Sequence, residues 1–166
     1  MKRRTRKPQN KKVRNATAKV YKGIKFRSKL ELFTSSKLED AGIDALYEKK
    51  KYVLQEGFRY SATVYEPHKT KGYIPTTTKI RDITYTPDFV DPHGRWIIEV
   101  KGFANDVFPI KWKMFKNYLM QQDDPPVLFL PRNQKQVLET IELINCLLYT
   151  SPSPRDVEES RMPSSA

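Results

Sequence analysis

Thr86-Pro87-Asp88-Phe89-Val90-Asp91-Pro92-His93-Gly94-Arg95-Trp96-Ile97-Ile98-Glu99-Val100-Lys101 is the stretch whose reading decides the fold. Asp, Pro and Gly within 91–94 suit a tight reversal, so Ile83 to Val90 and Arg95 to Lys101 read as two strands of a β-hairpin. If residues 91–94 form the loop, Val90 faces Arg95 and Asp88 faces Ile97. The two-residue period then puts Asp88, Glu99 and Lys101 on one face, with Asp88 and Glu99 as diagonal neighbours roughly 7–8 Å apart. Two short acidic side chains can close that gap around one hard cation, which takes oxygen ligands. A register shifted by one residue would turn Asp88 to the other face and destroy the arrangement.

Trp96-Ile97-Ile98 and Val100 make the second strand apolar on both faces, as in a sheet covered on both sides. Charges in such a strand need a reason. The bland one is an ordinary ion pair at a solvated strand end. The chemical one is phosphodiester hydrolysis: Asp88 and Glu99 would hold Mg²⁺, with Mn²⁺ as a substitute, and Lys101 would orient the attacking water or steady charge on the phosphate.

Pro87-Asp88, Glu99-Val100-Lys101 and Gly102 resemble the PD-(D/E)XK nuclease superfamily. Tyr21 to Glu31, Ile83 to Phe89 and Trp96 to Gly102, in that order, are similar to a small family of bacteriophage proteins within it, a likeness spanning roughly residues 19–131. The resemblance implies a restriction-endonuclease-like core, a Mg²⁺-dependent endonuclease acting on DNA, and the cytoplasm of a bacterial host. It also implies a third acidic ligand on the first helix, at the position of Glu31. Small members without a sequence-reading domain act on DNA shape, so a homodimer resolving branched recombination intermediates is the leading expectation. Restriction or end processing by the same core, and a non-catalytic DNA-binding accessory protein, remain alternatives.

Glu31 has a second reading. Ser28-Lys29-Leu30-Glu31 fits a capping box, with Ser at the N-cap and Glu three residues on. Leu30, Phe33, Leu38 and Ala41 would form the apolar stripe of the helix and Gly42 its end. Tyr52 to Gln55 reads as a strand, and Pro67 to Thr78 as a loop or irregular hairpin. Asp106 and Pro109 suit the first turn of a helix reaching about Gln121, with Ile110, Met114, Phe115 and Tyr118 at helical spacing. Pro126 to Leu130 is a short strand, and Asn133 can cap a last helix bearing Val137, Leu138, Ile141 and Ile144. The order αβββαβα implies an α/β (α+β) fold, a mixed central sheet flanked by helices. Lys111, Lys113 and Lys116 solvate the second helix, or one of them, Lys113, contacts DNA.

Cys146 to Asp156 looks like a translated sequencing-library adapter, and Ser160 to Ala166 like the primer that follows it. Residues 146–166 are therefore set apart from fold reasoning, and the native C-terminus is expected to differ beyond about residue 145. The one cysteine goes with them, which leaves no disulfide, zinc cluster or thiol nucleophile to consider.

Charge is distributed unevenly along the chain, which carries +12 in total. Residues 1–30 hold thirteen Lys or Arg and no acid, whereas residues 31–145 hold sixteen of each sign. A basic arm over residues 1–19, disordered until bound, is what a phosphate backbone attracts, and Arg3, Arg4, Arg6, Lys7, Lys11, Lys12 and Arg14 are its expected DNA contacts. No apolar face accompanies those charges, which argues against an interfacial helix, and no apolar run approaches the roughly 20 residues of a membrane span. Residues 20–145 are left as one nuclease-like domain.

Overall fold

A computed structural model describes residues 18–77, 79–102 and 106–150. The element order is β1 (Lys19–Tyr21), β2 (Ile24–Phe26), α1 (Lys29–Asp40), β3 (Leu46–Tyr47), β4 (Tyr52–Gln55), β5 (Val64–His68), β6 (Gly72–Thr76), β7 (Ile83–Tyr85), β8 (Phe89–Val90), β9 (Trp96–Ile98), α2 (Phe108–Met120), β10 (Val127–Phe129) and α3 (Gln134–Thr150). The fold is mixed α+β. The three helices come in the expected order, with more and shorter strands between them than αβββαβα allows. Strands form a four-stranded sheet in the order β10-β9-β8-β3 and three two-stranded sheets, β1-β2, β4-β7 and β5-β6. Among the described residues, no helix is long and apolar enough to cross a membrane.

Two compact units divide the chain, the first from residues 1–45, 98–103 and 128–166, the second from 46–97 and 104–127. In the first unit, Ser28 caps α1 and the helix runs to Asp40. Its buried face is Glu31, Thr34 and Leu38, spaced three and four apart, and not the Leu30-Phe33 stripe of the sequence reading. The side-chain oxygen of Asn133 accepts from the Gln136 amide at 3.0 Å, which starts α3 as expected. Val137, Thr140, Ile141 and Ile144 are its buried residues, while Leu138 is exposed. The helix runs past residue 145 to Thr150. Likewise Lys19 already belongs to β1, and residues 1–17 of the basic arm lie outside the described residues.

The second unit is organised around an aromatic cluster. Tyr52 from β4 and Tyr85 from β7 meet Phe115 of α2, with ring centres 4.9 and 4.6 Å away, and Trp112 lies 5.9 Å from Phe115. Tilted and edge-on rings at such distances add about 0.5–1.5 kcal/mol per pair beyond the burial of their area. This cluster sets the rotation of α2: Phe108, Trp112, Phe115 and Leu119 are buried and Ile110 is 62% exposed. Of the expected face through Ile110, Met114, Phe115 and Tyr118, Phe115 is buried, Met114 and Tyr118 are half-buried and Ile110 faces out, because Phe108 and Trp112 share the buried side with Phe115. Burial, with Tyr118 beside it, pushes the Tyr52 phenol up to about 12.

The expected strand over 83–90 is broken. β7 pairs with β4 (Tyr52↔Tyr85, Val53↔Thr84), whereas β8 pairs with β3 (Leu46↔Val90, Tyr47↔Phe89). Pro87, fully buried, has no amide to donate to a ladder. Upstream of β7 the chain closes on itself where the Phe58 and Ile80 backbones exchange bonds of 3.0 and 2.8 Å and the Gly57 amide donates to the Asp82 carboxylate at 2.8 Å.

A Cβ at Gly57 would meet the Ile80 carbonyl oxygen at 2.5 Å and Asp82 Oδ1 at 2.8 Å. Gly57→Ala is therefore expected to cost about 1–3 kcal/mol in urea unfolding, because backbone must move. Gly102→Ala, where nothing lies within 4 Å, should stay within about 0.5 kcal/mol of the parent.

Candidate functional site

The first unit carries the clearest charged pair. The Glu99 amide donates to the Phe129 carbonyl at 2.9 Å, and the Lys101 amide to the Pro131 carbonyl at 3.0 Å. Both partner numbers rise together, so this edge is paired in parallel, and the alternation turns the Glu99 and Lys101 side chains to the same face. Between them Val100 points the other way and is buried. Lys101 Nζ reaches Glu99 Oε1 at 3.0 Å. The Glu99 side chain is 5% exposed and that of Lys101 27%. The reading of these two as a solvated pair is thereby set aside: the carboxylate is buried, and a buried charge persists only with a partner.

Glu31, also in the first unit, is 6% exposed. Its Oε1 accepts from the Ser28 hydroxyl at 2.8 Å and its Oε2 from the Arg27 amide at 2.9 Å, while its own amide donates to Ser28 Oγ at 3.2 Å. This is a reciprocal capping arrangement, which satisfies amide donors that the first turn of a helix leaves without intrahelical partners. Of the two readings of Glu31, the cap is the one seen in its hydrogen bonds.

In the second unit Asp88 is 9% exposed and sits in the bend between β7 and β8. Its carbonyl accepts from the Glu48 amide at 2.9 Å. The turn that follows differs from the expected one. Asp91 donates its amide to the Trp96 carbonyl at 3.0 Å, so the loop is Pro92 to Arg95, and Val90 stands opposite Ile97 where Arg95 was expected. Gly94, at φ +80°, supplies the left-handed residue this loop needs. The register moves by two residues, which preserves the faces: a shift of one would have reversed them.

Sequence reasoning missed what holds this loop. Asp91 is 3% exposed, and Arg95 grips it with Nε to Oδ2 at 2.8 Å, an Nη2 bond to Oδ1 at 3.1 Å and its own amide to Oδ2 at 2.8 Å. Burial alone would raise the Asp91 pKa, but the Arg95 hydrogen bonds and charge outweigh it and hold the carboxyl below its usual range. An Asp opening a turn with Arg four residues on was the available signal. Of the three lysines on α2, Lys111 donates to the Thr84 carbonyl at 3.1 Å, Lys116 lies 5.5 Å from the centre of the Trp112 ring, and Lys113 is exposed.

Among the described residues no group of three or more His, Cys, Asp or Glu is gathered that could hold a metal ion. Comparison with known protein families, with curated proteins and with solved structures finds no match to this chain.

Because the Asp91 pKa is lowered on folding, the clamp stabilises above the unfolded value near about 3.9 and loses its contribution as pH falls through the folded value. The urea midpoint of Asp91→Asn should lie below that of the parent at pH 7, and the gap should narrow across the acid window that opens as pH falls below about 4. A gap that stays constant across that window would contradict the clamp.

Proposed function

We propose that the chain is a Mg²⁺-dependent DNA endonuclease of the PD-(D/E)XK kind, with Asp88 and Glu99 as metal ligands and Lys101 as the catalytic cation. The observation that carries this reading is the buried Glu99 held by Lys101 at 3.0 Å on a strand whose other members, Trp96, Ile97, Ile98 and Val100, are apolar and buried. A carboxylate in that setting is costly to keep, and a site for a hard cation beside a fixed ammonium gives it a purpose. The two-residue alternation puts Glu99 and Lys101 on one face, and Asp88, in the bend before β8, is proposed as the second ligand.

Two carboxylates suffice for the proposed ion. Mg²⁺ dehydrates reluctantly and is commonly bound by one or two carboxylates with water completing its shell, so a third protein ligand is not required. We therefore read Glu31 as the cap that fixes the start of α1. When bound, the metal would polarise the scissile phosphate and lower the pKa of its water. Lys101 would turn its Nζ from Glu99 to that water or to a phosphate oxygen, placing positive charge where negative charge develops. Arg3, Arg4, Arg6, Lys7, Lys11, Lys12 and Arg14 would draw the DNA backbone in without regard to sequence. A branched recombination intermediate cut by a homodimer is the substrate we favour, since a neutral domain with a basic arm reads charge and shape before bases.

A second reading is supported by Glu31 and Glu99 having structural partners: a DNA-binding accessory protein whose acids only shape the fold. Supercoiled, single-stranded and four-way-junction DNA incubated with Mg²⁺ or with chelator separates the two. Metal-dependent cuts are expected, the junction being cut fastest, and Lys101→Ala should cut at least about 100-fold more slowly while keeping its salt-sensitive binding. Intact DNA throughout would support the accessory protein, and normal cutting by Lys101→Ala would remove Lys101 from the chemistry.

A further inference from the structure

The hairpin β5-β6 displays a feature that the proposed site does not use. Its register is Val64↔Thr76, Tyr65↔Pro75, Glu66↔Ile74, Pro67↔Tyr73 and His68↔Gly72. Opposed residues share a face and faces alternate, so Tyr65, Pro67, Tyr73 and Pro75 lie on one side of the ribbon. Val64, Ile74 and Thr76, on the other side, are half-buried, whereas Tyr65 and Tyr73 are 61% and 74% exposed. Each tyrosine stands opposite a proline, a rigid neighbour that limits where the ring can go. Both lysines of the tip, Lys69 and Lys71, are exposed, and Glu66, the ribbon's one acid, is on the face away from the tyrosines.

Two open aromatic rings beside two cations, with the ribbon's aliphatic residues turned to the other face, match a polyanion whose bases are unstacked. Every base offers a π-face to a tyrosine, and the lysines can meet the flanking phosphates. A docking patch for a folded protein would bring an apolar core with it, and no Leu, Ile, Val or Phe shares this face.

We infer that the β5-β6 ribbon is a stacking platform for unpaired bases, in which Tyr65 and Tyr73 each take a base and Lys69 and Lys71 hold the backbone, so that the chain favours single-stranded segments of DNA over duplex. This rests on DNA being the partner and adds to the proposed function the part of the DNA that is recognised. The test uses the full chain in chelator, so that no cutting is needed, with labelled oligothymidine and a blunt duplex of equal length as probes. Tyr65→Ala and Tyr73→Ala should each weaken oligothymidine binding roughly ten-fold, and the Leu variants, which keep an apolar side chain without a ring, should do the same. Tyr→Phe should bind within about two-fold of the parent, and duplex binding should hold within about two-fold for every variant, since phosphate contacts carry it. Lys69→Gln with Lys71→Gln should reduce the slope of log affinity against log salt by about 1–2.

Unchanged oligothymidine binding, equal loss on both probes, or full binding by the Leu variants would overturn the platform. So would dissociation of an oligomer by Tyr→Ala in sedimentation, which would make this face a contact between copies. The two proposals fail separately: tyrosine-dependent binding without metal-dependent cuts leaves the platform standing, and cuts indifferent to both tyrosines leave the nuclease.

Discussion

The ion pair between Lys101 Nζ and Glu99 Oε1 is the constraint on which the account turns. A carboxylate 5% exposed can keep its charge only if something supplies an opposite one, and Lys101, two residues along the same strand, is within reach. The amides of both residues are bonded to the carbonyls of Phe129 and Pro131 on the neighbouring segment, and Ile98 and Val100 are buried between and beside them. The charged atoms are thereby held by backbone that has little freedom to move. Such preorganisation is what positioned cations and metal ligands require in phosphoryl transfer. Breaking a buried ion pair by removing one partner is costly, which makes the pair a determinant of local stability.

Local signals were readable where the physics is local. Ser28 with Glu31, and Asn133 with the Gln136 amide, place the starts of α1 and α3, since a cap involves only residues within one turn. Tyr52 to Gln55 is a strand as expected. The bend at Pro87-Asp88 was not legible, because it is held by the Glu48 amide forty residues upstream. The hairpin register differs from the expected one because the Asp91 side chain captures the Arg95 amide, which moves the four-residue loop one position along the chain. Rotation of α2 escaped the pattern because Trp112 is held by the rings of Tyr85 and Phe115, and Phe108 stacks on Trp112, which no spacing rule reports.

As for the site, Glu99 and Lys101 were legible because their one-residue separation on a strand forces a shared face. Asp88 could be named but not fixed in register, and Glu31 carried two roles that only its hydrogen bonds could separate. Charge would separate the two nucleic-acid contacts we propose. The arm of residues 1–17 would attract any phosphate backbone, whereas the tyrosine-bearing ribbon would act only on bases free of a helix. Together these would give a small protein a means of choosing irregular DNA without reading its sequence.

Metal binding measured apart from cutting tests the central claim most directly. Mn²⁺ titrated into the full chain and followed by electron paramagnetic resonance should show a bound population in the parent. Asp88→Asn and Glu99→Gln should each weaken it at least about ten-fold, while Glu31→Gln should leave it nearly unchanged. No bound Mn²⁺ in the parent, or binding indifferent to Asp88 and Glu99, would contradict the account.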